Sequence, residues 1–273
     1  MPGDGHIVVK LSGRALDDEA RRLGVCRALA GLAGRGVIVH GGGVQIDALF
    51  DRLREPVERV DGIRRTPESQ VGLVAGVLAG TVNTRLVATL RSVGVHAVGT
   101  SLASWGVIDA EVDPAIGGRV GRVGPGIMRA DGGAPLLADL LAGGWLPVVS
   151  PIACDRAGGL LNINADDAAA GVATVIGAER VVMLTDVPGV RDEQGGVIGV
   201  LDEIEAERLI EAGVVRDGMV AKLRAAFAIA SSAGCGVCIA SSDDASRAIV
   251  PGQHVGTLCE AASGPALARR GTP

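Results

Sequence analysis

Short, nearly unbroken apolar runs alternate along this chain with segments whose apolar residues recur every three or four positions. Ile7-Val8-Val9-Lys10-Leu11, Val37-Ile38-Val39-His40, Leu146-Pro147-Val148-Val149-Ser150 and Arg180-Val181-Val182-Met183-Leu184-Thr185 have strand length, and Ala97-Val98-Gly99 is a weaker run of the same kind. Val237-Cys238-Ile239 is the last clear strand. Unbroken apolar strands are those covered on both faces, as in parallel sheets. Between them, Leu16, Ala20, Leu23, Cys26 and Ala30 fit one helix, and Ile46, Leu49, Phe50 and Leu53 form the stripe of a second. A long helix is expected from Pro67 to about Leu90, with Gly72, Gly76 and Gly80 giving it a flat face that packs closely, either across a dimer interface or within one chain. Further helices are expected over 134–142, 165–176, 202–212 and 219–233, and a hairpin over the Gly- and Val-rich residues 106–126. This βαβα order predicts an α/β protein whose largely parallel sheet carries helices on both faces. With no low-complexity linker or repeat, the chain reads as two lobes, residues 1–176 and 177–273, meeting near Ile176.

Composition narrows the function. The net charge of -5, with two Phe, two Trp and no Tyr, argues against nucleic-acid binding, which draws on basic faces and stacking rings. The five cysteines are odd in number, and Cys235 and Cys238 lie in an apolar run, so they read as core rather than as a disulfide framework or metal site. The N-terminus does not read as a signal peptide. The most apolar stretch, Val71 to Val82, falls short of the roughly 20 residues a membrane span takes, and Asn83 and Arg85 end it. A cytoplasmic protein is expected, with no nucleic-acid or membrane partner. Lysine and arginine total 26, yet only Lys10 and Lys222 are lysines. A lysine is a compact point charge on a thin stem, suited to following a phosphoryl oxygen.

Those two lysines sit in motifs. Lys10-Leu11-Ser12-Gly13 ends a strand in a turn whose backbone N–H groups can meet an anion. Val39-His40-Gly41-Gly42-Gly43 lets a ligand approach bare backbone. Its spacing breaks the dinucleotide fingerprint, because position 46 is Ile, and the chain has no Gly-Lys dipeptide for a P-loop. Asp61-Gly62-Ile63-Arg64-Arg65-Thr66-Pro67 places two arginines, suited to clamping a carboxylate, at a helix start. Asn162-Ile163-Asn164-Ala165-Asp166-Asp167 gathers more polar groups than a helix cap requires. Leu184-Thr185-Asp186-Val187-Pro188-Gly189-Val190 ends a strand where α/β ligands bind. Arg216-Asp217-Gly218-Met219-Val220-Ala221-Lys222 sets the second lysine at the start of a helix.

In this order over residues 10–222, K-L-S-G, V-H-G-G-G-V-Q-I, G-I-R-R-T, G-T-V-N-T-R-L-V, N-I-N-A-D, L-T-D-V-P-G-V and D-G-M-V-A-K resemble the acetylglutamate kinases of the amino-acid kinase superfamily. The resemblance implies a three-layer αβα sandwich on a mainly parallel central sheet. The 1–176 lobe would bind the acyl amino acid and dimerise, and the 177–273 lobe would bind ATP. The activity implied is ATP-dependent phosphorylation of the side-chain carboxylate of N-acetyl-L-glutamate in arginine biosynthesis. Lys10 and Lys222 would act on the transferring phosphoryl group, with Asp166 holding both ammonium groups. Gly42 and Gly43 would offer N–H groups to the reacting oxygens. Arg64 would take the α-carboxylate and Asn162 the amide region. Ser12, Gly13, Asp186, Val187, Pro188, Gly189, Val190, Arg191, Val214, Val215 and Arg216 would line the nucleotide site, with Mg²⁺ held by phosphate oxygens and no protein metal ligand.

The chain departs from the family where K-x-G-G becomes Lys10-Leu11-Ser12-Gly13, where the loop from Gly99 reads Thr100-Ser101-Leu102-Ala103-Ser104-Trp105-Gly106, and where G-G-M becomes Asp217-Gly218-Met219. Only six residues precede Ile7, where arginine-inhibited members carry an extra helix, so an arginine-insensitive homodimer is expected. The competing readings are a superfamily kinase for another small anion (acetylaminoadipate, uridylate or carbamate), a dinucleotide-binding oxidoreductase, and a catalytically dead regulatory module.

Overall fold

The computed structural model describes residues 5–60, 62–104, 110–123, 135–250, 252–253 and 255–261. Strand β1 (Ile7–Leu11) lies at the centre of an eight-stranded sheet and pairs in parallel with β2 (Gly36–His40). The chain then forms a hairpin apart from that sheet, β3 (Glu58–Val60) with β4 (Ile63–Arg65). β5 (Ala97–Ser101) is an edge strand, and β6 (Glu111–Val112) and β7 (Val120–Arg122) pair antiparallel as the expected hairpin. Of that hairpin, residues 106–109 and 124–126 lie outside the described residues, as do Asp61, Trp105 and Ala134. β8 (Leu146–Ser150) joins β2 to β5, while β9 (Ile152–Cys154) and β10 (Leu160–Ile163) join β6 and β7 in a four-stranded sheet. On the other side of β1 stands β11 (Arg180–Thr185), followed in the chain by β12 (Val200–Asp202), β13 (Gly236–Ser241) and β14 (Thr257–Glu260). The order is β12-β14-β13-β11-β1-β2-β8-β5, and every pairing is parallel except that of β13 with β14. Both β12 and β14 go beyond the expected strands: each is short, and pairing rather than local pattern makes it a strand.

Nine α-helices fall within the described residues: α1 (Glu19–Ala28), α2 (Gly43–Leu53), α3 (Glu68–Ala75), α4 (Asn83–Ser92), α5 (Pro135–Ala142), α6 (Ala165–Ile176), α7 (Glu203–Glu211), α8 (Gly218–Ala233) and α9 (Ala245–Ala248). The first starts later than its apolar pattern suggests, because Asp18 caps it by accepting a hydrogen bond from Arg21 N. The expected long helix is continuous from Glu68 to Ser92, but its middle, Gly76–Val82, is π-helical. By length and composition this helix would suffice to cross a membrane; in the fold its Val74, Leu78, Leu86 and Leu90 are core residues.

Strand alternation divides the core in two. Val8, Val37, Val39, Val181 and Met183 pack against α5, α6, α7 and α8. Ile7, Val9, Leu11, Ile38, Val182 and Leu184 pack against α1, α2, α3, α4 and α9. Side chains point to alternate faces along a strand, so Lys10 shares the face of Val8 and turns toward α6. His40 shares the face of Ile38 and turns toward α4. The expected αβα sandwich is thus present. Burial pushes the thiols of Cys235 and Cys238 above their ordinary range, and Cys238 Sγ donates to Val255 O, in keeping with their reading as core.

Candidate active site

The register puts the carboxyl ends of the central strands at one level: Leu11 lies opposite His40 and Leu184, and Thr185 opposite Ser241. From β1 the sheet grows outward in two directions, toward β2 and toward β11, and ligands of open α/β sheets bind where the order so diverges. Ser12, Gly41, Asp186 and Ser242, the residues just past four neighbouring strands, therefore crowd together.

Lys10 leaves β1 toward the start of α6, where its Nζ stands 2.8 Å from Asp166 Oδ1, both side chains being less than one-fifth exposed. Asn164 frees Asp166 for that pairing by capping α6 itself, its Oδ1 accepting from Asp166 N. Beside this pair, burial, then the charges of Asp166 and Asp113, push the Asp167 carboxyl up to about 6. Lys222, the fifth residue of α8, reaches back to the sheet edge with Nζ 3.4 Å from Asp186 Oδ1. Arg14 holds the other oxygen of Asp186 at 3.2 Å. The Asp186 carboxyl lies below its usual range through its own backbone N–H first and then these two cations, against some burial. Asp166 was expected to hold both ammonium groups; in this structure it pairs with Lys10, and Lys222 pairs with Asp186.

A cavity of about 220 Å³ opens beside Lys10's strand, lined by Gly41, Gly42, Gly43, Arg64, Asn162, Asn164 and Ala165 among others. Arg64 comes from the small hairpin and is 8% exposed. Its guanidinium lies 5.3 Å above the Phe50 ring and pairs with Asp47, and its Nη1 is buried without a hydrogen-bond partner. Burial works against the Asp47 charge, but Arg64 and Arg59 hold its carboxyl below the usual range. Asn162 Nδ2 donates to Thr66 Oγ1 at 3.0 Å. A buried guanidinium with a spare donor, glycine N–H groups at a helix start and an asparagine form a receptor for a small carboxylate. Arg59, Leu78 and Pro151, which also line this cavity, had no signal in the sequence.

A second cavity, about 140 Å³, lies on the β11 side, lined by Ser12, Arg14, Thr185, Asp186, Ser241, Ser242 and Asp243 among others. Ser12 and Asp186 were expected there; the residues at the end of β13 and just beyond it were not, although Ser241-Ser242-Asp243 directly follows an apolar run. Gly13 packs against Gly42 and Gly43, joining the two loops. The rest of the expected nucleotide set lines neither cavity. Gly189 has a φ of 154° and leaves room for Thr257, Val190 is core and takes a bond from its N–H to Thr257 Oγ1, and Val215 is core. Val187, Pro188, Arg191, Val214 and Arg216 stand at or near the surface, Arg216 donating to Gly213 O.

A mainly parallel αβα sandwich with two cavities across the carboxyl edge, and the ion pairs Lys10–Asp166 and Lys222–Asp186 at that same edge, is a small-molecule phosphotransferase scaffold. The chain belongs to the amino acid kinase family, whose model matches residues 6–241. Among curated relatives, the acetylglutamate kinase of Edwardsiella ictaluri is 39% identical over 93% of this chain and 99% of its own. That of Serratia proteamaculans is 39% identical over 92% and 97%. Among solved structures, smu.665 from Streptococcus mutans superposes with a TM-score of 0.75 at 25% identity, covering 94% of this chain and 99% of its own. The carbamate kinase of Giardia lamblia bound to AMP-PNP, at 16% identity and a TM-score of 0.64, shares the fold, covering 96% of this chain and 100% of its own.

Proposed function

We propose that this enzyme transfers the γ-phosphoryl group of ATP to the side-chain carboxylate of N-acetyl-L-glutamate, the acyl-phosphate-forming step of arginine biosynthesis. The observation that carries the reading is the pairing of Lys10 with Asp166 beside a carboxylate-sized cavity, in a chain 39% identical to acetylglutamate kinases. In this reading the acceptor lies in the Arg64 cavity, its α-carboxylate on the spare Nη1 of Arg64 and its amide on Asn162. Its side-chain carboxylate oxygen bonds to the γ-phosphorus as the bond to the β,γ-bridging oxygen breaks and ADP departs. A carboxylate is already ionised at neutral pH, so the residues move no proton; they align two anions and offset charge. Lys10, with Gly42 and Gly43 N–H groups, serves the reacting oxygens, and Lys222 serves the phosphates from the nucleotide side. Asp186 orients Lys222 as Asp166 orients Lys10.

The division of labour follows the lobes, residues 1–176 for the acceptor and dimerisation and 177–273 for ATP. In this reading Mg²⁺ accompanies the nucleotide, held by phosphate oxygens, and would neutralise phosphate charge. The homodimer expected from the short segment before Ile7 is supported by Gly72, Gly76 and Gly80, which lie exposed along one long helix and leave it open to close packing, and a cytoplasmic setting suits the reaction. Light scattering that returned a monomer would remove the dimer.

Incubation with ATP, Mg²⁺ and hydroxylamine, which traps an acyl phosphate as its hydroxamate, tests reaction and acceptor together. Acetylglutamate is expected to turn over well above acetylaminoadipate, with no transfer to uridylate or carbamate, for which ADP release is measured because neither gives a hydroxamate. Preference for any of these three would refute the assignment.

A further inference from the structure

Two buried polar side chains outside the reacting set meet behind the glycine loop. His40, at the end of β2, is fully buried, and Asn83, the first residue after the π-helical segment, is 4% exposed. Asn83 Nδ2 lies 2.9 Å from Val148 O, 3.4 Å from Thr100 O and 3.0 Å from His40 Nε2. Two carbonyl oxygens settle which end of the amide is its NH₂, since only a donor can face them. His40 Nε2 must then accept, and the hydrogen of the neutral imidazole must sit on Nδ1. Nδ1 is 2.9 Å from Gly41 O, which it can therefore bond as a donor. Burial drives the imidazole pKa down to about 4, so this neutral form holds across the working pH range.

The consequence reaches the cavity through one peptide plane. In a trans peptide the C=O and the following N–H point in opposite directions. Holding Gly41 O against the imidazole turns Gly42 N–H away from it, while Gly41 N is held by Leu11 O at 2.9 Å. Gly42 lines the cavity. Two glycines make the arrangement possible: a Cβ at position 99 would fall 2.1 Å from Asn83 Oδ1, and one at position 42 would fall 2.6 Å from Leu78 of the π-helical segment. Single π turns inside α-helices recur at functional sites, and the extra residue re-aims the side chains of the next turn.

We infer that Asn83 and His40 are positioning residues for phosphoryl transfer: Asn83 selects the Nδ1–H tautomer of His40, and that imidazole orients the Gly41–Gly42 peptide so that Gly42 N–H meets the reacting oxygens. This rests on the reading of the cavity as the acceptor site.

Nitrogen-15 NMR of the wild-type protein is the first test. The expected signature is a protonated Nδ1 and an unprotonated Nε2 for His40; a hydrogen on Nε2 would overturn the proposal. Kinetics of variants are the second. Asparagine keeps a donor at the Nδ1 position, whereas glutamine keeps one only near Nε2. His40→Asn is therefore expected to retain kcat within about 10-fold, and His40→Gln and Asn83→Ala to lose roughly 10²-fold, the cost of one oxyanion donor, with KM for ATP unchanged. If His40 only filled space, the larger glutamine would serve as well as asparagine, and that order would overturn the inference. Wild-type protein inert toward acetylglutamate would defeat the assigned reaction alone, because the His40 tautomer is read without turnover.

Discussion

The ammonium group of Lys10 rests 2.8 Å from Asp166 Oδ1, a pair formed by the end of one central strand and the first turn of the helix packed over it. The pair fixes where the ammonium can reach. Lys10→Ala is expected to lower kcat by roughly 10²–10³-fold with the fold intact, and Asp166→Asn to lower it less, since the lysine remains but is no longer held. Steady-state kinetics alongside circular dichroism would check both. A Lys10→Ala enzyme with full kcat would remove the lysine from the mechanism.

Arg64 offers a different signature. Its fork is pinned by Asp47 and stacked over Phe50, with one nitrogen left for a ligand. Lysine cannot reproduce a planar, stacked fork. Arg64→Lys is expected to raise KM for the acyl amino acid at least about 10-fold, the loss of one charge-assisted bond, with KM for ATP within two-fold. A rise in the ATP constant instead would place Arg64 with the wrong substrate.

The carboxyl of Asp167, raised to about 6, gives the fold a measurable pH dependence. An acid whose folded pKa exceeds its unfolded value near 3.8 binds more protons folded than unfolded between the two. Its contribution is thus fully favourable below pH 3.8 and is lost as pH climbs to 6. His40, lowered from 6.5 to about 4, acts oppositely: its contribution is present above 6.5 and lost as pH falls toward 4. Asp167→Asn is therefore expected to be more stable than wild type at pH 7–8, by about 1–3 kcal/mol, with the gain vanishing below pH 4. Urea unfolding at several pH values would read this. A gain independent of pH would show that ionisation is not its source.

Asp217 precedes α8 with φ 51° and ψ -133°, a conformation glycine adopts freely and aspartate does not, and its side chain makes no capping bond there. The family's usual glycine at this position thus has a physical cause. Asp217→Gly is expected to raise stability by about 1 kcal/mol, visible as a higher Tm. An unchanged or lower Tm would mean that the carboxylate earns its place through contacts outside this chain's own fold.

Much of the architecture was legible because its determinants are local. A strand covered on both faces must be apolar throughout, so β1, β2, β8, β11 and β13 stand out in the sequence. The glycine loop after His40 and the polar cluster before α6 are contiguous, so their chemistry is visible along a few neighbouring residues. The features that stayed hidden depend on residues that meet only after folding. The four-residue strand β14 becomes a strand by pairing with β12 and β13. The π-helical turn is invisible to a helical period, and neither Asn83 nor Arg59 looks unlike other polar residues on a helix or hairpin.

By itself, then, the order of residues determined an α/β sheet with its chemistry at the strand ends and two lysines to serve it, since burial and turn formation are decided over a few neighbouring positions. Only tertiary structure decided which carboxylate each lysine meets, which face His40 takes, and how Arg64 comes to be buried with a donor to spare. Those outcomes depend on side chains brought together from distant parts of the chain, as Asn83 is to His40 and Lys222 to Asp186, and no short-range pattern encodes such meetings.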